Sequence, residues 1–175
     1  ETAFRMLQAS SHIGKLVIRP PAAGTAAAAA APQAWKPDPG GRYLVVGGYA
    51  AMLYTEPRWT KDLDLWIALD ARNARAVFAA LREFGAPLAG LTESDFSAPG
   101  YFYQMGNPPL RLDVMMDITG GDFEAAWARR NTINLGGTAV HFIGRDDLIA
   151  VKMASGRDQD LKDVQGLRRG AQPLH

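Results

Sequence analysis

Between Pro20 and Gly41 the chain reads PPAAGTAAAAAAPQAWKPDPGG, almost only alanine, proline and glycine. Such a stretch offers hardly any side chain large enough to bury. Its alanine run favours helix, but so short an isolated run is marginal in water. The prolines on either side stop it from growing. We read residues 20–41 as a linker. Any real core must then come from residues 42–170, and roughly 130 residues suffice for one ordinary domain. Residues 1–19, ETAFRMLQASSHIGKLVIR, read as a separate helix–turn–strand remnant.

The 175 residues are 47% apolar and 21% charged, which fits a globular chain with a packed interior. The formal charge of +1 gives no global pull toward nucleic acid or a membrane surface. No apolar run approaches the roughly 18 residues that cross a bilayer. The absence of cysteine excludes disulfides and thiolate metal sites, and a reducing cytoplasm is the expected compartment. The start lacks a basic segment followed by an apolar one, so no signal peptide is expected. The chain opens on Glu1 rather than methionine, and we expect it to be a piece of something longer.

From Arg42 onward the pattern is regular. Tyr43 to Val46 is an apolar strand ending in Gly47-Gly48, and Tyr49 to Thr55 a compact helix stopped by Glu56-Pro57. Asp62 to Leu69 alternates at its start as a half-buried strand does. Ala74, Val77, Phe78 and Leu81 give Ala71 to Phe84 helical spacing, with Asp70 to cap it and Gly85 to close it. Residues 86–109 read as loop ending in an Asn-Pro-Pro turn. Leu110 to Ile118 is a strand, and a helix is expected near 122–130. NTINL and TAVHFI flank Gly136-Gly137 as a hairpin does. Helices then run from Asp146 to Ser155 and from Asp158 to Arg169. The expected fold class is α/β (α+β): one domain with a mixed β-sheet flanked by helices.

The acids in TKDLDLW carry the chemistry. On a strand Asp62 and Asp64 point one way while Leu63 and Leu65 point the other. Neighbouring carboxylates repel, so they are either solvated or share a cation, and hard oxygen donors suit Mg²⁺ beside substrate phosphates. Gly47-Gly48 follows a strand and opens a helix, which directs backbone amides at whatever lies beyond the strand end. In RLDVMMDI, Asp113 shares its face with Arg111 and Met115. It would complete a two-metal site or act as base for an attacking hydroxyl, unless it is only an edge-strand charge. Lys152 falls within the apolar stripe Leu148, Ile149, Lys152, Met153; it must snorkel out or meet an anion. Arg58, Thr60 and Lys61 precede the acidic pair and are candidates for holding phosphate. Asp160 and Asp163 read as a solvated helix face. His12, His141 and His175 have no metal-ligand spacing, and His141 reads as structural.

With those residues in view, Gly47-Gly48, the Arg58-x-Thr60-x-Asp62-x-Asp64 pattern, Asp113 and Lys152 resemble the DNA polymerase beta-type nucleotidyltransferase superfamily. YLVVGGYAAMLYTEPRWTKDLDLWI, PLRLDVMMDITGGDFEAAWARR and DDLIAVKMASGRDQDLKDV are similar to small bacterial nucleotidyltransferases related to abortive-infection toxin–antitoxin proteins. The resemblance spans about residues 42–167. It implies a nucleotide-binding turn at Gly47 and Gly48, and metal-binding, catalytic aspartates at Asp62, Asp64 and Asp113. It also implies a phosphate-side Lys152, with Asp163 in the acidic segment after it. The chain departs from that pattern in having the Ala-Pro linker where a helix precedes the first strand, and Gln159 where a basic residue is expected. Residues 1–20 resemble the end of a polyketide synthase enoylreductase, a medium-chain reductase domain, followed by its Ala-Pro linker.

The resemblance implies a Mg²⁺- or Mn²⁺-dependent enzyme that moves a nucleoside monophosphate from a nucleoside triphosphate to a hydroxyl of tRNA, protein or a small molecule. Two other readings stand beside it. One is a nucleotide-binding component without turnover, paired with an antitoxin. The other is a dinucleotide-binding reductase fragment, for VVGG after a strand with Asp64 further on faintly fits that fingerprint. The Gly-Gly-Tyr-Ala-Ala loop lacks its glycine spacing.

Overall fold

Alternating apolar residues in five of the segments above build a sheet, which a computed structural model describes over residues 41–107 and 110–169. In chain order come β1 (Tyr43–Val45), α1 (Gly47–Met52), β2 (Asp62–Ile67), α2 (Ala71–Phe84), a 3₁₀ turn (Glu93–Ser97) and β3 (Phe102–Asn107). Then follow β4 (Leu110–Met115), α3 (Phe123–Ala128), β5 (Asn131–Leu135), β6 (Thr138–Phe142), α4 (Arg145–Ser155) and α5 (Asp158–Arg169). The six strands form one mixed sheet in the order β3-β4-β2-β1-β6-β5, flanked by helices as expected. The remnant and linker readings fall on residues 1–40, outside the described residues.

Local chemistry sets most element ends. The Asp70 carboxylate accepts from Asn73 N to start α2, and Gly85 closes that helix at φ 84°. Gly136 and Gly137, at φ 60° and 87°, supply the two left-handed positions of the β5–β6 hairpin turn. Two expectations need correction. Residues 86–109 are not all loop, because Phe102–Asn107 pairs antiparallel with β4 as an edge strand. Its signal was faint: only Tyr103 and Met105 are buried, while Phe102 and Gln104 face out. On α4 Leu148 and Lys152 are buried and Ile149 packs on the core as expected, but Val151 completes that stripe and Met153 is exposed.

One sheet face carries Leu63, Leu65, Ile67, Leu112 and Val114. It packs on α2 and leaves an apolar groove of about 280 Å³. The opposite face holds the acids and is covered in part by α3, whose Phe123 meets Trp66 edge-on at 5.2 Å. Buried Asn73 ties α2 to the sheet by accepting from Arg42 N at 2.6 Å and donating to Ala68 O at 2.8 Å. Among the described residues, no helix is long and apolar enough to cross a membrane.

Candidate active site

The period of two along a strand puts Asp62 and Asp64 on one face, and a parallel neighbour brings the third acid to them. In the β2–β4 ladder Asp64 stands opposite Asp113 and Asp62 opposite Arg111. Two carboxylates thus face each other across adjacent strands with a third one step along. Burial pushes the Asp64 carboxyl up to about 6, with the nearby charges of Asp113 and Asp62 adding to it; Lys152 and Arg111 pull the other way.

The glycine turn abuts this row. Gly47 sits at φ 63°, and a β-carbon there would overlap the Asp64 carboxylate. At Gly48 a β-carbon would overlap the Thr60 hydroxyl and lie 3.4 Å from Arg58 Nη2. Two bare glycines are what let the β1–α1 turn, Thr60, Arg58 and the acids crowd together. Asp62, Asp64 and Asp113 thus lie on one sheet face, with Gly47, Gly48, Arg58 and Thr60 against Asp64 and one another. The exposed Lys61 points no charged contact into that cluster among the described residues.

Lys152 is placed differently from a snorkelling lysine. It is 5% exposed, and its Nζ donates to Asp160 Oδ1 and Asp163 Oδ2, both at 2.7 Å. Asp160 and Asp163 are therefore not a solvated face but buried partners. Period alone could not show this, because α4 and α5 fold back on each other across Gly156. Asp163 Oδ2 also accepts from Arg58 Nη2 at 2.9 Å, so an ion network links the α4–α5 interface to the glycine turn. Gln159 joins it, donating to Asp163 Oδ1 at 3.2 Å. Burial alone would raise both acids; the hydrogen bonds and charge of Lys152, helped by Arg58 at Asp163 and by Ser155 and Arg157 at Asp160, more than cancel it and hold both low.

Sequence reasoning passed over Arg111 and Gln104. Arg111 Nη2 donates to Asp62 Oδ2 at 2.9 Å, and its Nε lies 3.0 Å from Asp113 Oδ1. Gln104 on β3 donates to the same Asp113 oxygen at 3.0 Å. The strand period already put Arg111 on the acid face, but its partner depended on the β2–β4 register. His141 is structural, as expected: it stands edge-on to Trp127 at 5.0 Å and hydrogen-bonds with Thr132.

Three carboxylates on one sheet face are the donor type that a hard divalent ion takes. Among the described residues, no three acidic or imidazole side chains converge as a ready cation site. The guanidinium of Arg111 pairs with Asp62 and Asp113. The dinucleotide reading is overturned by topology: β1 pairs antiparallel with β2, whereas a dinucleotide-binding βαβ unit needs parallel strands.

No protein-family model and no curated protein matches the sequence. Among solved structures, the chain is similar to an antigenic nucleotidyltransferase-like protein from Paracoccidioides brasiliensis, with TM-score 0.40 and 22% identity. The likeness covers 72% of this chain and 66% of that one, and at that level the function is left to be argued from the site itself.

Proposed function

We propose that the chain is a metal-dependent nucleotidyltransferase acting on a nucleoside triphosphate. One observation carries the reading: Asp64 and Asp113 stand opposite each other on parallel strands, with Asp62 on the same face and a bare Gly47-Gly48 turn against them. Asp62, Asp64 and Asp113 would hold Mg²⁺ or Mn²⁺, which supplies charge neutralisation for the phosphates. Gly47 and Gly48 let the phosphate tail approach backbone amides, and Arg58 and Thr60 flank it. Lys152 acts at one remove, by anchoring the Asp163 that orients Arg58.

In the reaction an acceptor hydroxyl oxygen bonds to the α-phosphorus while the α–β bridging P–O bond breaks. Pyrophosphate leaves with that electron pair. The hydroxyl proton passes to a carboxylate, for which Asp113 is our candidate. Most of the acceleration is positioning and charge compensation. The acceptor is a hydroxyl of RNA, tRNA included, of a protein, or of a small molecule, and the compartment a reducing cytoplasm.

A second reading is favoured by the Arg111 bridge, which already satisfies two of the three acids. In it the chain binds nucleotide without turnover, as one half of a toxin–antitoxin pair. The test is Mg²⁺-dependent binding of each labelled nucleoside triphosphate, by the wild type and by the Asp62→Asn/Asp64→Asn double variant. Metal-dependent binding of one triphosphate, lost in the variant, supports the transferase site. Absence of binding by a folded protein removes it, and binding that ignores metal and variant favours the second reading.

A further inference from the structure

We propose that the apolar groove on the leucine face of the sheet is a docking site for the chain's own residues 1–19, brought to it by the Ala-Pro linker. This face lies opposite the acids, so the proposal holds or fails independently of the transferase reading.

The lining of the groove runs from Val77 and Phe84 of α2, across Leu65 of β2 and Val45 of β1, to Ile133 and Leu135 of β5. At about 280 Å³ it has the volume of about nine waters at ~30 Å³ each. Its wall is almost all carbon, however, so water there finds few hydrogen-bond partners. Leu65, Val77, Phe84, Ile133 and Leu135 remain only half-buried against the core. Each of them keeps back part of what full burial would contribute. An apolar sheet face is stable when another element covers it, so the groove takes an apolar occupant.

The entry point of the chain says which one. Arg42 is pinned to α2, its backbone N–H donating to Asn73 Oδ1 at 2.6 Å, and the next residue, Tyr43, already lines the groove. The linker of residues 20–41 is therefore tied to the domain beside that opening. It reaches about 26 Å as a flexible coil and about 68 Å as an extended polyproline helix. A domain of about 130 residues has a radius of gyration of only about 14 Å, so either length suffices. The tether also holds residues 1–19 at an effective concentration in the millimolar range, an advantage that a free partner lacks.

Composition points to the same segment. Within residues 20–41 only Trp35 is a large apolar side chain, whereas residues 1–19 carry Phe4, Leu7, Leu16 and Ile18 among others. Phe4 and Leu7 have the spacing of one helix face, and Leu16 and Ile18 that of one strand face. Such pairs can present apolar side chains to the groove together.

The test is methyl NMR of the full chain labelled at isoleucine, leucine and valine. Cross-relaxation from the Leu7 or Leu16 methyls to those of Leu65, Ile133 or Leu135 is expected. The Leu7→Asp/Leu16→Asp double variant should lose it, shift the groove methyls and bind anilinonaphthalene sulfonate several-fold more strongly. Val164 and Leu167, buried but not lining the groove, report that the domain of the variant stays folded. Cross-relaxation seen only between labelled and unlabelled chains in a mixed sample would mean that a second copy fills the groove, and overturns the proposal. So does its absence in the wild type, with groove methyls that are the same in the variant.

Discussion

Replacing Lys152 by methionine keeps the side chain out to about Cε and removes the ammonium from the α4–α5 interface. That ammonium donates to Asp160 Oδ1 and Asp163 Oδ2 at 2.7 Å each, and the three side chains are 6%, 6% and 5% exposed. Breaking a buried ion pair by deleting one partner costs about 3–5 kcal/mol, because the other charge stays behind without compensation. Arg58 still reaches Asp163 and Arg157 still reaches Asp160, so we expect the lower end, about 3 kcal/mol. Against a typical total of about 5–15 kcal/mol, this is a large fraction.

The pH dependence gives that loss a signature. In the wild type both acids are held below their ordinary range, so their stabilisation is present above the unfolded value and fades as pH falls through the folded one. In Lys152→Met the group that held them down is gone, and burial drives them to take up protons at higher pH. The deficit relative to wild type should thus be largest near pH 7.5 and shrink toward pH 4. Urea denaturation followed by tryptophan fluorescence at both pH values measures it. A deficit under about 1 kcal/mol at pH 7.5, or one that does not change with pH, would refute the buried-network account. Such a result would return Lys152 to the role of a free phosphate-binding lysine.

Three further outcomes follow from the same geometry. Asp64 is raised to about 6, so its charge costs stability that builds as pH climbs from 3.8. Metal-free Asp64→Asn should therefore be more stable than wild type by about 1–3 kcal/mol at pH 8, with no gain near pH 4; parallel melting curves across that range would contradict it. Gly47→Ala forces a β-carbon into the Asp64 carboxylate at φ 63°; it should cost more than about 1 kcal/mol and abolish triphosphate binding. Wild-type melting and binding would show that the turn is roomier than described. Asn73→Ala strands Arg42 N and Ala68 O, bonded to Asn73 at 2.6 and 2.8 Å, and leaves Arg42 O with the Ala68 N–H as its remaining donor. It should cost about 2–3 kcal/mol in denaturant titration, and a loss under half of that would mean water replaces the amide.

Much of the frame was legible because its signals are local. Asp70 and Gly85 bracket a helix through a side-chain cap and a left-handed residue. Gly136-Gly137 mark a hairpin, and D-x-D sends two acids to one face by the strand period alone. What escaped was non-local. The β3 strand has two buried residues and a glycine at φ 92°, a pattern as weak as that of a loop until β4 lies beside it. Asp160 and Asp163 have the spacing of a solvated helix face, and only the fold-back of α5 onto α4 sets Lys152 between them.

By itself the sequence determined most of the elements and the shared face of Asp62 and Asp64, since each depends on backbone geometry within a few residues. The tertiary structure decided which charges meet. The parallel β2–β4 register sets Asp113 across from Asp64 and slides Arg111 between Asp62 and Asp113, whereas a slip of one residue would send both side chains to the leucine face. Periodicity says which way a carboxylate points. Strand order and register say what stands opposite it, and those are settled by packing the whole sheet.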